Sequence, residues 1–431
     1  MNAPLDTGTA LTSHRMRRLA HLDLPGGGQV VVQGKHAFVG HMQPPYGTTV
    51  LDVSDPARPR IVAQVKLDHE YSHTHKVRVV GDVMYTNVEQ NNRRVARKAA
   101  QIPETRAALE GELKRPPTEA ELAARLQVKE ADLPALEALR QRGYDEGGYK
   151  IWDISDVARP RLITHQKTGG VGVHRFDVDE NYAYISTEME GYVGNILVIY
   201  DVRDPQRPQE VSRWWMPGQH IAGGEQPMWE GQDWRLHHTL RHEDKLYAGC
   251  WQGGVRVIDV KDITKPRTVG AYNYHPLYLE PSHTFFRVPF PVAGREIALV
   301  TDEQHDHHHR GQPRAGLWVF DVADLAHIHP IAQFHVSELD SPYTRNKGRF
   351  GCHQFQEHLE DTYVFCTWFS GGVRVIDIRN PAQPEEVGWY IPEPCGGYPS
   401  PQSNDVEVDA RGLIYVLDRN CGLDILEFQR P

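Results

Sequence analysis

Histidine is abundant in this sequence, at 24 of 431 positions, and several copies fall in register. His75, His174 and His237 each stand ten residues before an aromatic residue: Tyr85, Tyr184 and Tyr247. His283 and His353 open segments of the same kind, PSHTFFRVP and GCHQFQEHLEDTYVF. Neutral imidazole is the commonest protein ligand for transition metals, so imidazoles brought together form a cage for a divalent ion. Three or four would ligate and leave positions for water or substrate. An all-nitrogen set suits Fe, Cu or Zn better than Ca or Mg, which prefer oxygen. The expected cofactor is therefore a divalent transition metal, Fe or Cu favoured, Zn or Mn next. His73 shares strand parity with His75 and is a further candidate. His238 has the opposite parity and is expected to point away from the channel. The competing explanation is a structural histidine copied by duplication.

A second register adds acids. Glu89 and Glu188 lie four residues past the aromatic position, and Glu303 stands in the corresponding place further on. They are expected to ring the histidines, orienting them through the second ring nitrogen or acting as general acid or base. Otherwise they are solvated loop acids. The run His305-Asp306-His307-His308-His309-Arg310 is expected at the rim, where a His-rich loop binds metal loosely. Arg235, Tyr46 and Trp251 are candidate substrate contacts. Cys352, beside His353, reads as a buried small residue before a redox partner or ligand. The sequence holds no GxSxG, P-loop or dinucleotide fingerprint, and Gly26-Gly27-Gly28 does not precede a helix.

What positions these residues is a repeat. GTTVLDVSDPARPR (47–60), GYKIWDISDVARPR (148–161), GNILVIYDVRDPQRPQ (194–209), GVRVIDVKDITKPR (254–267), GLWVFDVADLAHIHP (316–330), GVRVIDIRNPAQP (372–384) and GLDILEF (422–428) share one plan. Each starts on Gly, runs through β-formers and reaches an acid: Asp52, Asp153, Asp201, Asp259, Asp321, Asp377 or Glu427. Asp and Pro then end the strand in a turn. Another apolar strand precedes each copy, and two more complete a four-stranded unit. Units at this spacing imply an all-β, seven-bladed β-propeller over residues 15–431. The last copy lacks a fourth strand, and RMRRLAHLDL (15–24) is expected to supply it, closing blade seven. Innermost strands line the central channel, so equivalent positions converge on the axis. Five blades present His there, blade seven offers Asn404 and blade one Gly26-Gly27-Gly28. An open solenoid or two sandwiches is the bland alternative.

Residues 93–146 interrupt blade two. They are rich in Ala, Leu, Glu, Arg and Lys at helical spacing, and Thr118 with Glu121 forms a capping box. Two or three helices over one face are expected, as a lid, a dimer contact or a decoration. The stretch KRPPTEAELAARLQVKEADL resembles a helix pair of bacterial sigma factors, a shared hairpin solution with no DNA binding implied.

The repeated motif, as in Leu197-Val198-Ile199-Tyr200-Asp201 and Val255-Arg256-Val257-Ile258-Asp259, resembles the LVIVD-repeat propeller family. That resemblance implies the fold and leaves function open. SHTHKVRVVGDVMYTN is distantly similar to the HTxH-containing part of selenium-binding/methanethiol oxidase propellers. A histidine-ringed axis also looks like carotenoid-cleaving oxygenases and oligogalacturonate lyases. These likenesses imply a metalloenzyme acting on a small molecule at the axial channel, oxidative first. A metal-dependent lyase or hydrolase with a Glu base is the alternative, and a non-enzymatic partner-binding propeller the third.

Composition narrows the rest. A net charge of −10 argues against a general nucleic-acid partner. No apolar run reaches membrane-spanning length, and the N-terminus lacks a signal-peptide core. Five scattered cysteines fit a reducing cytoplasm better than a disulfide framework. A homodimer through the 93–146 segment is the one macromolecular partnership expected.

Overall fold

The computed structural model describes residues 14–24, 26–305, 313–344 and 348–431. Strands dominate, and the four α-helices among the described residues all fall between Arg93 and Arg142. The strands run as antiparallel meanders. Gly27–Gln33, His36–His41, Tyr46–Asp52 and Arg60–Lys66 pair in that order. The pattern recurs along the chain to Ser403–Val408, Leu413–Asp418 and Gly422–Phe428. In one meander, Tyr363–Thr367 through Glu385–Tyr390, the innermost position is held among the described residues by isolated bridges, Phe355 to Cys366 and Phe350 to Phe369.

Burial explains the sequence pattern. The central strand Asn195–Asp201, NILVIYD, is buried at every position but its last, because its sheet is covered on both faces. The outer strands Arg60–Lys66 and Arg161–Lys167 are half-exposed and carry the charges. Each apolar core lies between consecutive sheets. Val30, Val39 and Leu51 of the first sheet pack with Tyr415, Leu423 and Ile425 of the last, so the two ends of the chain share a core.

The recurrent acid is a turn device. Asp52, Asp153, Asp201, Asp259, Asp321 and Asp377 each accept the backbone N–H two residues on. Glu427 does something else. It receives Arg17 at 2.6 Å across the pairing of Met16–Leu22 with Gly422–Phe428. The N-terminal strand thus joins the C-terminal sheet, as its resemblance to the other fourth strands predicts.

Between the paired strands Val83–Gln90 and Gly148–Asp153 lie four α-helices: α1 (Arg93–Ala100), α2 (Ile102–Leu113), α3 (Glu119–Leu126) and α4 (Leu133–Arg142). Two or three were expected. Gln101-Ile102-Pro103 divides the first from the second, with Pro near the N-terminus of α2. The capping box is present: Thr118 Oγ1 accepts the Glu121 N–H and the Glu121 carboxylate accepts the Thr118 N–H. Ala99, Ile102, Leu109, Leu122, Leu126, Leu133 and Leu136 give these helices a core of their own.

One expectation fails here. Cys395 and Cys421, 26 residues apart, form a disulfide. The expectation of a reducing cytoplasm rested on the scattered cysteines and loses its support once two of them are bonded. Cys250, Cys352 and Cys366 are free and buried. Cys352 packs in an apolar core with its sulfur 3.2 Å from that of Cys366. Among the described residues no helix is long and apolar enough to cross a membrane.

Candidate metal centre

The innermost strands share an irregularity at one place. Pairing skips His174 between Val173 and Arg175, His283 between Ser282 and Thr284, Gly28 between Gly27 and Gln29, and Asn404 between Ser403 and Asp405. The strand carrying His237 shifts between Trp234 and His238. A bulge sets extra residues against fewer partners and re-aims side chains. Two consecutive residues then face the axis, making two layers. His75, His174, His237, His283, His353 and Asn404 form the upper one. Arg175, His238, Thr284, Gln354 and Asp405 belong to the lower.

Strand parity alone placed His238 away from the channel, and this is wrong. Its Nδ1 lies 3.6 Å from Glu357 and its Nε2 3.5 Å from Arg78. Arg175 donates to Glu357 at 3.1 Å and to Gln354 at 3.0 Å, and Arg78 also pairs with Glu357. This charged layer closes the channel beneath the histidines. The cavity above it, about 640 Å³, opens on one face. A separate pocket of about 400 Å³ on the far side is lined by Arg78, Asp177 and Glu357.

The upper-layer imidazoles form an arc. Successive ring centroids from His73 through His75, His174, His237 and His283 to His353 lie 4.7, 5.2, 4.8, 4.2 and 4.2 Å apart. The five predicted ligands are together, and His73 joins them. Burial keeps the five predicted ligands neutral. It lowers His174 to about 3 against the pull of Glu89 and holds His75, His237, His283 and His353 well below the ordinary value.

Hydrogen bonds fix which nitrogen carries the proton. His174 Nδ1 donates to Glu89 at 3.0 Å. His237 Nδ1 donates to the His283 carbonyl at 2.9 Å, and His353 Nδ1 to the Asn404 carbonyl. Each of these rings therefore turns an unprotonated Nε2 to the cavity. The Nε2 atoms of His174 and His237 are only 2.9 Å apart. Two lone pairs at that distance repel unless a cation lies between or beside them. Nitrogens about 2.1 Å from one metal sit about 2.9–3.4 Å from each other, so the spacing fits two ligands of a single ion. Carboxylate or carbonyl on Nδ1 with Nε2 presented inward is the outer-shell pattern of metal-binding histidines. His75 differs: Asn87 Nδ2 lies 3.1 Å from its Nδ1, while Asn87 Oδ1 accepts the Lys76 N–H. Asn87 therefore donates, and neutral His75 carries its proton on Nε2.

The three predicted acids separate. Glu89 is fully buried and accepts from His73 at 3.1 Å, His174 and Arg93 at 3.2 Å. Burial would raise its carboxyl, but Arg93 and His174 outweigh that and hold it well below the usual range. Glu303 lies on the cavity wall, meeting Arg349 at 2.7 Å and His305 at 3.2 Å. Two tight groups result, His73 with His75 and Glu89, and His237 with His283 and Glu303. Glu188 does not reach the histidines. It receives Arg97 of α1 at 2.5 Å and the Val171 N–H at 3.1 Å. Its role is to hold the helix. Glu188→Gln is therefore expected to leave metal content unchanged and to speed limited proteolysis within 93–142. Unchanged protease resistance would refute that role.

Of the other sequence candidates, Trp251 stacks on His237 at 5.2 Å and Arg235 lies over Trp251 at 4.5 Å. Tyr46 is half-buried at a strand start and does not line the cavity. The segment His307-His308-His309-Arg310 lies outside the described residues. The repeat register missed Lys76, Arg93, Arg94, Arg349 and Arg419, all of which line the cavity. Arg93 and Arg94 were visible as the first residues of the helical segment, and Arg419 stands four residues past Tyr415, in the register of Glu89 and Glu188, but Arg349 sits in a loop that no repeat aligns. Gly28 also has a local reason: a Cβ there would meet His75 Cβ at 2.5 Å. Blade one yields its position to the neighbouring histidine. Asn404 donates to the Gly28 carbonyl at 2.6 Å and its own carbonyl orients His353.

Comparison with solved structures agrees with the architecture. The chain is similar to a protein from Lactobacillus plantarum at 9% identity and TM-score 0.59, covering 92% of this chain and 96% of that one. It is similar to a putative 6-phosphogluconolactonase from Bacteroides fragilis at 11% identity and TM-score 0.54, over 88% and 86%. The C-terminal WD40 domain of Sif2 matches at 8% identity and TM-score 0.53, over 96% and 99%. At such identities the likeness is one of fold alone. No protein of curated function matches the sequence. The LVIVD repeat model matches residues 27–66, 173–214 and 359–391. The chain thus carries LVIVD repeats in three places, on antiparallel sheets whose first and last members share a core, which is consistent with a β-propeller family.

Proposed function

We propose that this chain is a seven-bladed propeller metalloenzyme, with a transition metal held by axial histidines and a small-molecule substrate bound in the cavity above. The 2.9 Å approach of the His174 and His237 Nε2 atoms, with both Nδ1 atoms already committed as donors, carries the reading. His174 and His237 are the central ligands. His283 and His353 flank them, and His75, with its proton on Nε2, is a donor toward bound substrate. A bound Fe or Cu would supply one-electron chemistry, Zn or Mn Lewis acidity.

Oxidative chemistry is favoured over lyase or hydrolase chemistry by the state of the acids. A general base needs a carboxylate free to take a proton. Glu89 and Glu303 are both engaged by arginine and histidine, which suits orientation better than proton abstraction. The 93–146 segment is proposed as a lid, not a dimer contact, because Arg93, Arg94 and Val95 of α1 form part of the cavity wall.

Elemental analysis of untagged protein tests the metal. About one equivalent of Fe or Cu per chain is expected, falling below a tenth in His174→Ala and in His237→Ala while both variants stay folded by circular dichroism. Wild-type protein that is folded yet retains no metal after reconstitution would sink the reading.

A further inference from the structure

The cavity carries a charge opposite to that of the chain. The protein as a whole is at −10, yet Lys76, Arg93, Arg94, Arg349 and Arg419 all line the space above the histidines. Glu303 is the one acid among the described lining residues, with Glu89 behind His73 and His174. Four arginines thus face two carboxylates, while burial and Arg175 lower the Lys76 amine well below its ordinary value. Arg349 and Arg419 converge on the Phe369 ring, their guanidiniums 5.2 and 5.1 Å from its centroid. Both approach one oxygen of Glu303, at 2.7 and 3.6 Å. Arg94 spends a nitrogen on neutral His305, 2.6 Å away, and His305 meets the other oxygen of Glu303 at 3.2 Å. Like charges crowded into a buried site repel and are costly to desolvate unless an anion joins them. That cost shows at Arg419, which burial and Arg349 push down to about 9.

From this charge surplus we infer that the cavity binds a small oxyanion, a carboxylate or phosphate group of the substrate, among Arg349, Arg419 and Arg94. Guanidinium forks match such groups in pairs. The anion would sit over the imidazole arc. The inference rests on the cavity being the substrate site and does not require the metal.

Calorimetric titration of the protein as purified, at low salt, tests it with benzoate, phenylphosphonate and the neutral benzamide as probes. Either anion is expected to bind at least tenfold more tightly than benzamide, and to weaken as salt rises. The stronger of the two identifies carboxylate or phosphate as the class. Arg419→Gln and the more exposed Arg349→Gln should each weaken anion binding tenfold or more at unchanged metal content. Anion affinity no better than that of benzamide, or unaffected by both substitutions in folded protein, would overturn the inference. Metal measured on the same samples keeps the two readings apart: full metal without anion binding fails this one alone, and anion binding without metal fails only the metalloenzyme.

Discussion

Glu89→Gln is expected to lower metal affinity by about 10- to 100-fold, the usual cost of removing an outer-shell partner. The wild-type carboxylate accepts from His174 Nδ1 and so fixes the tautomer that leaves Nε2 bare. A glutamine at the same place offers one acceptor oxygen and an N–H₂ that must face other donors. His174 is then free to carry its proton on Nε2 and donate it to His237 across the 2.9 Å gap. The variant satisfies without a metal what the native site leaves unsatisfied. Stability should fall by only about 1–3 kcal/mol, since Arg93, a quarter exposed, can turn to water. The measurement is competition against a chromophoric chelator, with thermal unfolding as the fold control. Unaltered metal affinity in a folded variant would show that the carboxylate does not set the tautomer.

The histidine register was readable because a repeat makes equivalent positions equivalent in space. Ten residues from His174 to Tyr184 is a hairpin's length, and the same spacing in other units aims each ring at the same axis. Parity within a strand was a weaker guide. It assumes an uninterrupted pleat, and the register shifts at His174, at His283 and in the strand of His237 break that assumption, which is how His238 came to face Glu357. The acids divided for a related reason. Glu89 and Glu188 hold the same register, but α1 brings Arg97 onto Glu188, and an irregular insertion cannot be placed from a repeat. Arg419 holds the register of Glu89 and Glu188 four residues past Tyr415, but a search for acids passes over it; Arg349 lies in a loop whose path depends on long-range packing, so no local signal marked it. The bond between Cys395 and Cys421 joins two segments whose approach is likewise tertiary.

Acid should unfold the metal-free protein between about pH 6 and 4.5, and bound metal should move that transition to lower pH. An unfolded histidine titrates near 6.5, whereas native His174 is lowered to about 3 by burial. Between those values the unfolded chain binds more protons, so stability is present above 6.5 and drains as pH falls. By pH 4.5 His174 alone removes about 2.7 kcal/mol. His75, His237, His238, His283 and His353 are shifted in the same direction by the same burial, and each that stays neutral adds a comparable loss. Four buried acids oppose them, Asp177 among them, raised by burial. Burial raises Asp302 and Asp405 to about 7 and Asp418 to about 6. Their contribution is present at low pH and lost as pH rises through those values, so acidification returns about 2–3 kcal/mol from each. Six histidines outweigh four aspartates, and the remainder is a large part of the stability of a domain. Metal bound to bare Nε2 atoms competes with those protons directly and stabilises only the native chain, by about 2.7 kcal/mol at a hundredfold excess over Kd. Circular dichroism against pH, with and without chelator, reads both effects. Equal acid midpoints in the two samples would mean that the ion, if bound at all, is not held by the histidines that titrate.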